Sequence, residues 1–258
     1  MLVRSLGLTT ELALAATRGT VTDRGDYLVV ETPDDPGYYH GNVLVLPAAP
    51  QVGEVAYWTR RWGGELGRNK AIKHVTLWWD GIAGDVGAAA ELTAAGFQVT
   101  TNQVMVADAV EAPQGGFDVR PLAPSEISAT ADLAWANGDR HDEPYRQFLQ
   151  RRAAWQHALV SRGAATFWGG FDGTELVASL GLVPVSGVAR YQDVQTLASH
   201  RRRGLAGALL AAAARHALAN GAARVVIVAE PDSEASRVYS RVGFRTLERT
   251  ASALRPPP

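Results

Sequence analysis

The sequence predicts an α/β protein built on a sheet of mixed strand direction. From residue 117 onward the segments alternate as β α α β β β α β α β, with hairpin turns early and an apolar, β-branched strand after a helix late. Hairpins join antiparallel strands, whereas a helix between two strands makes a parallel crossover. We therefore expect strands that are antiparallel at first and cross over later.

Composition excludes several kinds of chemistry. The 258 residues are 47% apolar and 20% charged, as in globular proteins, and the length accommodates two domains. The formal net charge is −1, so we expect neither a nucleic-acid nor a membrane partner. Cysteine is absent, which excludes disulfides, thiolate metal ligands and cysteine nucleophiles.

A Pro/Gly-rich segment at residues 111–116 predicts a linker, and hence domains at 1–112 and 117–258. The run 256–258 is three prolines, which predicts a frayed end. The N-terminus lacks the features of a signal peptide, and the apolar run 205–218 is too short to cross a bilayer. These features lead us to expect a cytoplasmic protein.

The second domain carries its elements in a clear order. Alternation predicts a strand at 117–122, and a helix follows at about 126–137, ended by Asn137-Gly138. Pro144 suits the first turn of a second helix. The remaining elements are strands near 165–171, 175–183 and 189–197, with turns at 172–173 and 186–187, a helix at 204–220, a strand at 225–229, a helix at 233–242 and a strand from Phe244.

The first domain contains a weaker copy of this ending. A strand at 75–79, a helix near 87–95 and Gly96-Phe97 repeat in kind and order the strand at 225–229, its following helix and Gly243-Phe244. Two explanations stay open: an internal duplication, or the strand–helix–Gly–strand order common in α/β proteins.

The segment 197–207, LASHRRRGLAG, joins a strand to a helix with glycines and cations at the junction. The first turn of a helix has unpaired N–H groups and the positive end of the dipole, so it binds anions. Gly204 and Gly207 leave the backbone uncovered, and Arg201–Arg203 add charges that pair with phosphate. A solvated basic turn and a nucleic-acid patch are the alternatives.

This segment resembles a known family. Arg201-x-x-Gly204-x-Ala206 is similar to the Gln/Arg-x-x-Gly-x-Gly/Ala signature of the GNAT superfamily of N-acetyltransferases. The later run Asp232, Ala235, Tyr239 and Gly243-Phe244 resembles that family's next strand and helix. The resemblance covers about 118–254 and implies a mixed sheet of the GNAT type. Residues 1–112 look like a degenerate second copy, as in tandem members of the family.

The resemblance implies transfer of an acetyl group from acetyl-CoA to an amine, by direct attack in a ternary complex and without a metal. It also implies residues that hold the cosubstrate: Val194, Gln195, Thr196, Leu197, Arg201, Arg202, Arg203, Gly204, Leu205, Ala206, Gly207, Asp232 and Ser236. Asp232 stands where the family often has asparagine, so its negative charge weakens that assignment.

The resemblance also implies the acid and the base. Tyr239 matches the tyrosine that can protonate the departing thiolate, with a packed aromatic ring as the alternative. Family members often place a glutamate base on the strand before the phosphate loop. Tyr191, Asp193, Gln195 and Leu197 are expected on one face of that strand, and Asp193 is the only carboxylate among them. Glu230 is the competing base.

The first domain departs from this pattern. Its loop at 47–53, PAAPQVG, lacks an arginine cluster, and its prolines remove amide donors. Leu92 stands where Tyr239 stands in the second copy, so we expect no productive acetyl-CoA binding there. The six histidines show no paired spacing typical of metal ligands.

The acceptor amine is expected near residues 137–145. Three carboxylates in this loop can attract a cationic amine, with Trp135, Trp155 and Trp168 as an apolar wall; a solvated turn is the alternative. Two rival functions stay open beside the enzyme: an acyl-CoA-binding regulatory module without catalysis, and an interaction protein with a vestigial loop.

Overall fold

The computed structural model describes residues 1–112 and 116–257, arranged in two compact units. The first unit contains 1–104, 229–231 and 246–257, and the second contains 105–112, 116–228 and 232–245. Pro113, Gln114 and Gly115 of the predicted linker, and Pro258 of the predicted frayed end, lie outside the described residues. The predicted division at 1–112 and 117–258 stays a prediction.

The described elements follow one another along the chain as α1 (Leu6–Ala15), β1 (Thr20–Asp23), β2 (Leu28–Glu31), β3 (Val43–Leu46), α2 (Val55–Glu65), β4 (Val75–Trp79), α3 (Ala89–Ala94), β5 (Gln98–Ala107), β6 (Asp118–Pro121), α4 (Ala129–Asn137), α5 (Glu143–Ser161), β7 (Thr166–Asp172), β8 (Glu175–Val185), β9 (Val188–Thr196), α6 (Leu205–Ala219), β10 (Val225–Ala229), α7 (Glu234–Arg241) and β11 (Arg245–Arg255). The elements predicted from residue 117 onward are all present, with ends displaced by a few residues. The prediction of a mixed α/β fold is confirmed.

The first unit is a mixed sheet covered on both faces. β1, β2 and β3 pair antiparallel, β3 and β4 pair parallel, and β4 pairs antiparallel with β11. β3 and β4 are buried along their whole length, which explains their continuous apolar sequence. One face packs a core that includes Leu44, Leu77 and Leu92, and the other packs a core that includes Leu8 and Trp78.

The last strand is tied to the first helix within this unit. Glu248 of β11 is 9% exposed, and its carboxylate accepts hydrogen bonds from Ser5 Oγ at 2.8 Å, Leu6 N at 2.9 Å and Gly7 N at 3.3 Å. A carboxylate at a helix start satisfies free amides and complements the dipole. This contact anchors α1 to β11.

The second unit places helices on both faces of its strands. β6, β7, β8 and β9 pair antiparallel in chain order, and β9 pairs parallel with β10. A Cβ on Gly170 would meet Leu205 and Leu209, so this face of β7 lies against α6. On the other face, Gln195 of β9 donates a hydrogen bond to the carbonyl of Thr130 in α4. The strand and helix order β9–α6–β10–α7 repeats that of β3–α2–β4–α3, which supports the duplication.

Candidate functional site

Strands β9 and β10 run side by side only where they begin. Their parallel pairing joins Ala189 with Val225 and Arg190 with Val226. β9 continues to Thr196, which still pairs with Ala178 of β8. On the edge of β9 away from β8, the backbone groups from residue 192 onward therefore have no strand partner among the described residues. Such groups remain available to hydrogen-bond an extended ligand.

A β-bulge lies in this free stretch of β9. Ser179 of β8 pairs with Gln195 but Gly181 pairs with Gln192, so one residue of β8 opposes two of β9. Asp193 at the bulge has a φ of 49°, a left-handed conformation that Asp tolerates better than most residues. An extra residue reverses the side-chain alternation beyond it.

The prediction that Tyr191, Asp193, Gln195 and Leu197 share one face is therefore wrong. The Tyr191 hydroxyl donates to the Leu210 carbonyl of α6 at 2.6 Å. Gln195, beyond the bulge, instead donates to Thr130 in α4 and to Ser179 Oγ. Strict alternation cannot reveal such an inserted residue.

The structure places Asp193 in a polar network that sequence reasoning missed. Its Oδ2 accepts a hydrogen bond from Gln156 Nε2 at 2.7 Å, and its Oδ1 lies 3.4 Å from Arg152 Nη1. Gln156 is 1% exposed, and its Oε1 accepts from Thr130 Oγ1 at 2.8 Å. The Asp193 side chain is 24% exposed. Two helices thus orient this carboxylate while leaving it accessible to solvent.

The loop after β9 ends in an open helix start. Gly204 is the N-cap of α6 with φ 85° and ψ −5°, and no side chain caps the helix. The first described bond of the helix runs from Ala208 N to Gly204 O at 3.0 Å. The amides of Leu205, Ala206 and Gly207 therefore have no acceptor inside the helix. No atom lies within 4 Å of a Cβ built on Gly204, so its backbone angle is what favours glycine.

The three arginines before Gly204 differ in what they contact. Arg201 donates to the Thr196 carbonyl at 3.2 Å and to Asn137 Oδ1 at 3.4 Å, which joins the end of β9 to the end of α4. Arg203 lies 3.9 Å from Asp172 and over the Phe117 ring. Arg202 is exposed with a φ of 60° and makes no hydrogen bond or ion pair with the described residues. Its charge is the one left available to an anion.

Gly207 lies at a close packing contact, and its backbone is not exposed to solvent. It is buried, and a Cβ there would lie 3.2 Å from Val242 Cγ1 and 3.4 Å from the Ala112 Cβ. The expectation that Gly207 leaves the backbone uncovered is therefore wrong, although its amide is still in the first turn of α6. The second glycine lets this turn pack closely against its neighbours.

Tyr191 and Tyr239 are both buried, but their hydroxyls have different surroundings. Burial raises the pKa of Tyr191 well above its ordinary value, and its hydroxyl already bonds to Leu210. Burial also raises the pKa of Tyr239 to about 12. The Tyr239 side chain is 7% exposed and packs against Phe244, and its hydroxyl has no hydrogen bond within the part of the chain that the structure describes. Tyr239 therefore carries a proton at neutral pH and has no structural partner for it.

The start of α7 holds the last two predicted contacts. Asp232 is exposed with a φ of 57°, and its carbonyl accepts from Arg237 at 2.7 Å. Ser236 is buried, and its hydroxyl donates to the Ser233 carbonyl at 3.0 Å. The side chain of Ser236 is thus engaged within its own turn, whereas that of Asp232 faces solvent.

In the predicted acceptor loop, residues 137–145, one carboxylate is engaged in a helix cap, and the tryptophans do not form the expected wall. Asp142 caps α5 by accepting from Tyr145 N at 2.9 Å, and it also pairs with Arg140 at 2.9 Å. Trp135 stacks on Tyr145 with ring centroids 6.2 Å apart. Trp168 packs against His216 of α6, on the opposite face of the strands from α4. A single wall that contains both Trp135 and Trp168 is therefore excluded.

In the corresponding loop of the first unit, carboxylates of the protein itself occupy two backbone amides. Gly53 N donates to Glu91 Oε2 at 2.7 Å, and Gln51 N donates to Glu54 Oε2 at 2.9 Å. β3 and β4 pair continuously from Val43 to Leu46, and Asp80 N extends this pairing by donating to the Leu46 carbonyl. Carboxylates occupy the amides, and the strands do not diverge.

Two kinds of feature are absent from residues 1–112 and 116–257. No helix there has the length and apolar character needed to cross a membrane. No cluster of three or more His, Asp or Glu side chains there has the geometry to bind a metal ion.

Comparison with known proteins agrees with this architecture. The model of the acetyltransferase (GNAT) family matches residues 128–244, the part that contains the diverging strands, the loop and Tyr239. No curated protein sequence matches the chain.

Solved structures share the fold across nearly the whole chain. A functionally unknown conserved protein from Staphylococcus epidermidis has a TM-score of 0.76 at 14% identity, covering 93% of this chain and 95% of that one. A GCN5-related N-acetyltransferase from Kribbella flavida has a TM-score of 0.65 at 18% identity, covering 100% and 97%. A tandem GNAT protein from the clavulanic acid biosynthesis pathway has a TM-score of 0.61 at 14% identity, covering 98% and 89%.

Proposed function

Because residues 128–244 belong to the acetyltransferase (GNAT) family, we propose that the second unit moves the acetyl group of acetyl-CoA onto an amine. The observation that carries this proposal is the free edge of β9 leading directly to the uncapped start of α6. A linear ligand with an amide-bearing arm and a pyrophosphate matches that order of unpaired groups. The cytoplasmic location stays a prediction.

The residues present fit this cosubstrate. Backbone groups of Val194, Gln195, Thr196 and Leu197 supply donors and acceptors for the pantetheine arm, although Leu197 N itself already bonds to the Val177 carbonyl. Amides of α6 and the free guanidinium of Arg202 hold the pyrophosphate. The roles of Arg201 and Arg203 are to shape the loop, since their side chains are engaged elsewhere.

Acetyl-CoA supplies an activated acyl group as a thioester. In the proposed reaction the amine nitrogen attacks the carbonyl carbon, a C–N bond forms and the C–S bond breaks. Tyr239 is the proposed donor of the proton that the departing sulfur takes up, because its hydroxyl is protonated at neutral pH and has no hydrogen bond with the described residues. Holding both reactants in one complex supplies much of the acceleration.

Asp193 is the proposed base that accepts the proton from the amine. Its carboxylate is oriented by Gln156 and Arg152 at the bulge of β9 and remains partly exposed. Glu230 stays the competing candidate for the base. The acceptor is a cationic or neutral amine that approaches by the loop 137–145, where Asp139 and Glu143 are exposed.

Binding is tested with a matched pair of glycine variants. Gly204 and Gly53 both have positive φ, 85° and 88°, and neither has an atom within 4 Å of a built Cβ. Gly204→Glu and Gly53→Glu therefore carry comparable strain, but only the first places a carboxylate in the proposed pyrophosphate site. We expect Gly204→Glu to abolish the rise in melting temperature with acetyl-CoA and Gly53→Glu to retain it. At a ligand concentration of 100 times Kd, binding raises the free energy of unfolding by about 2.7 kcal/mol. Equal shifts in both variants would refute the site.

Catalysis is tested with a matched pair of tyrosine variants, assayed by thiol release across a panel of amines. We expect Tyr239→Phe to lower kcat by about 10²-fold with little change in KM for acetyl-CoA, because acid catalysis is lost. Tyr191→Phe, which removes only a hydrogen bond to α6, should retain kcat.

Asp193→Asn should lower kcat by about 10²-fold, because the group that accepts the proton of the amine is lost; an unchanged kcat would transfer the base role elsewhere. The second candidate function is an acyl-CoA-binding regulatory module without catalysis. Both carboxylate oxygens of Asp193 already contact donors of α5, and this engagement favours the alternative. Acetyl-CoA binding without thiol release for any amine would select this alternative.

A further inference from the structure

The first unit carries a strongly basic segment that the proposed acetyl transfer does not use. Residues 60–73, RRWGGELGRNKAIK, contain three arginines and both lysines of the protein against a single glutamate, whereas the whole chain has a net charge of −1. The segment begins in α2 and continues past its end. Positive charge is therefore concentrated on one part of this unit.

A concave site lies within this segment. A cavity of about 290 Å³ is lined by Tyr27, Tyr57, Arg60, Arg61, Gly64, Glu65 and Arg68. The lining residues of α2 recur at helical spacing, so they share one face of the helix. No atom lies within 4 Å of a Cβ built on Gly64, so the floor of the cavity is open at that residue.

The carboxylate that lines this cavity already forms an ion pair. Glu65 accepts two hydrogen bonds from Arg24, at 3.2 and 2.8 Å, and a third from the Tyr27 hydroxyl at 2.8 Å. Arg24 and Tyr27 hold the pKa of Glu65 below its ordinary value, so this side chain stays ionised and paired. The hydrogen bonds of Glu65 go to Arg24 and Tyr27, while Arg61 and Arg68 interact with its carboxylate only through space.

The remaining arginines are arranged around open space. Arg61 donates to the Tyr57 hydroxyl at 3.1 Å, and its guanidinium lies over the Tyr57 and Tyr27 rings. Arg60 and Arg68 have no hydrogen bond or ion pair with the described residues. Three arginines thus face one cavity together with a single carboxylate that is already paired with Arg24, which leaves a net positive charge around the open space.

We propose that this cavity binds a small ligand through a phosphate group. A guanidinium binds phosphate with two parallel hydrogen bonds, and two unengaged guanidiniums match the charge of a phosphate or pyrophosphate. The volume is near the lower limit of small-molecule sites, which suits a compact phosphorylated ligand. The site is separate from the loop before α2, where Glu54 and Glu91 accept from the amides of Gln51 and Gly53, and it does not depend on the acetyl transfer.

Arginine mapping tests the proposal residue by residue in the full-length protein. Phenylglyoxal modifies free guanidiniums, and peptide mass spectrometry reports each arginine separately, so this cavity is distinguished from Arg202. We expect millimolar inorganic pyrophosphate to slow modification of Arg60 and Arg68 at least fivefold. Arg215 and Arg241, exposed arginines of α6 and α7, should react at unchanged rates at matched ionic strength.

A variant gives the independent test. In calorimetry with pyrophosphate, the double variant Arg60→Gln/Arg68→Gln should lack one of the binding events of the wild type, or show it with an affinity at least tenfold lower. The charge-matched control Arg215→Gln/Arg241→Gln should bind as the wild type does. Unchanged modification rates, protection by long polyanions but not by pyrophosphate, or wild-type binding by Arg60→Gln/Arg68→Gln would each overturn the proposal.

Discussion

His74 is a buried histidine whose titration should control the stability of the first unit. It is 1% exposed, and its ring lies 4.7 Å from that of Tyr39 and 6.4 Å from that of Trp62. The Asn42 backbone is a polar neighbour that raises its pKa, but the effect of burial is larger. Burial, together with the nearby His40, lowers its pKa from 6.5 to about 4. The folded protein therefore holds His74 neutral where the unfolded chain would protonate it.

The direction of the effect follows from the bound protons. Between pH 6.5 and 4 the unfolded state binds more protons at this residue, so the free energy of unfolding decreases as the pH falls. The contribution is complete above about pH 6.5 and is lost by about pH 4. At about 1.4 kcal/mol per pKa unit, the loss over this window is about 3 kcal/mol.

The assay is urea unfolding between pH 7.5 and 4.5. The change in unfolding free energy with pH is compared within each variant, because replacing a buried ring also changes packing. His74→Phe should flatten this dependence, whereas His157→Gln, at an exposed position of α5, should keep the wild-type slope. Equal slopes in wild type and His74→Phe, or an NMR titration of His74 near pH 6.5, would refute the reasoning.

Two further substitutions test the packing inside each unit: one lies within the first unit and the other within the second. Glu248→Gln should lower the free energy of unfolding by about 1–3 kcal/mol, measured by urea denaturation, because the amide places donors against Ser5, Leu6 and Gly7; a loss below about 0.5 kcal/mol would contradict the role of Glu248 as an anchor. Gly207→Val should cost about 1–3 kcal/mol, since its Cβ would lie 3.2 Å from Val242; an unchanged melting temperature would show that α6 is loosely packed there.

Local patterns were sufficient for most of the second unit. The strand at 225–229 was predicted from its β-branched run, and α6 and α7 from their glycine and serine boundaries. The first unit was harder, because α2 contains Gly63-Gly64 and strands β1 and β2 have only four residues each. Periodicity is weak in such short or interrupted segments.

The sequence by itself determined the α/β class, the repeated order of elements and the glycine at the helix start, because these depend on residues close together in the chain. Only the tertiary structure decided which groups are free. Arg201 donates to the Thr196 carbonyl and Arg203 lies near Asp172, whereas Arg202 has no hydrogen-bond acceptor or carboxylate beside it among the described residues. The bulge at Asp193 and the unpaired edge of β9 arise from pairing between distant strands. Pairing and packing bring together residues far apart in the chain, so no local pattern encodes them.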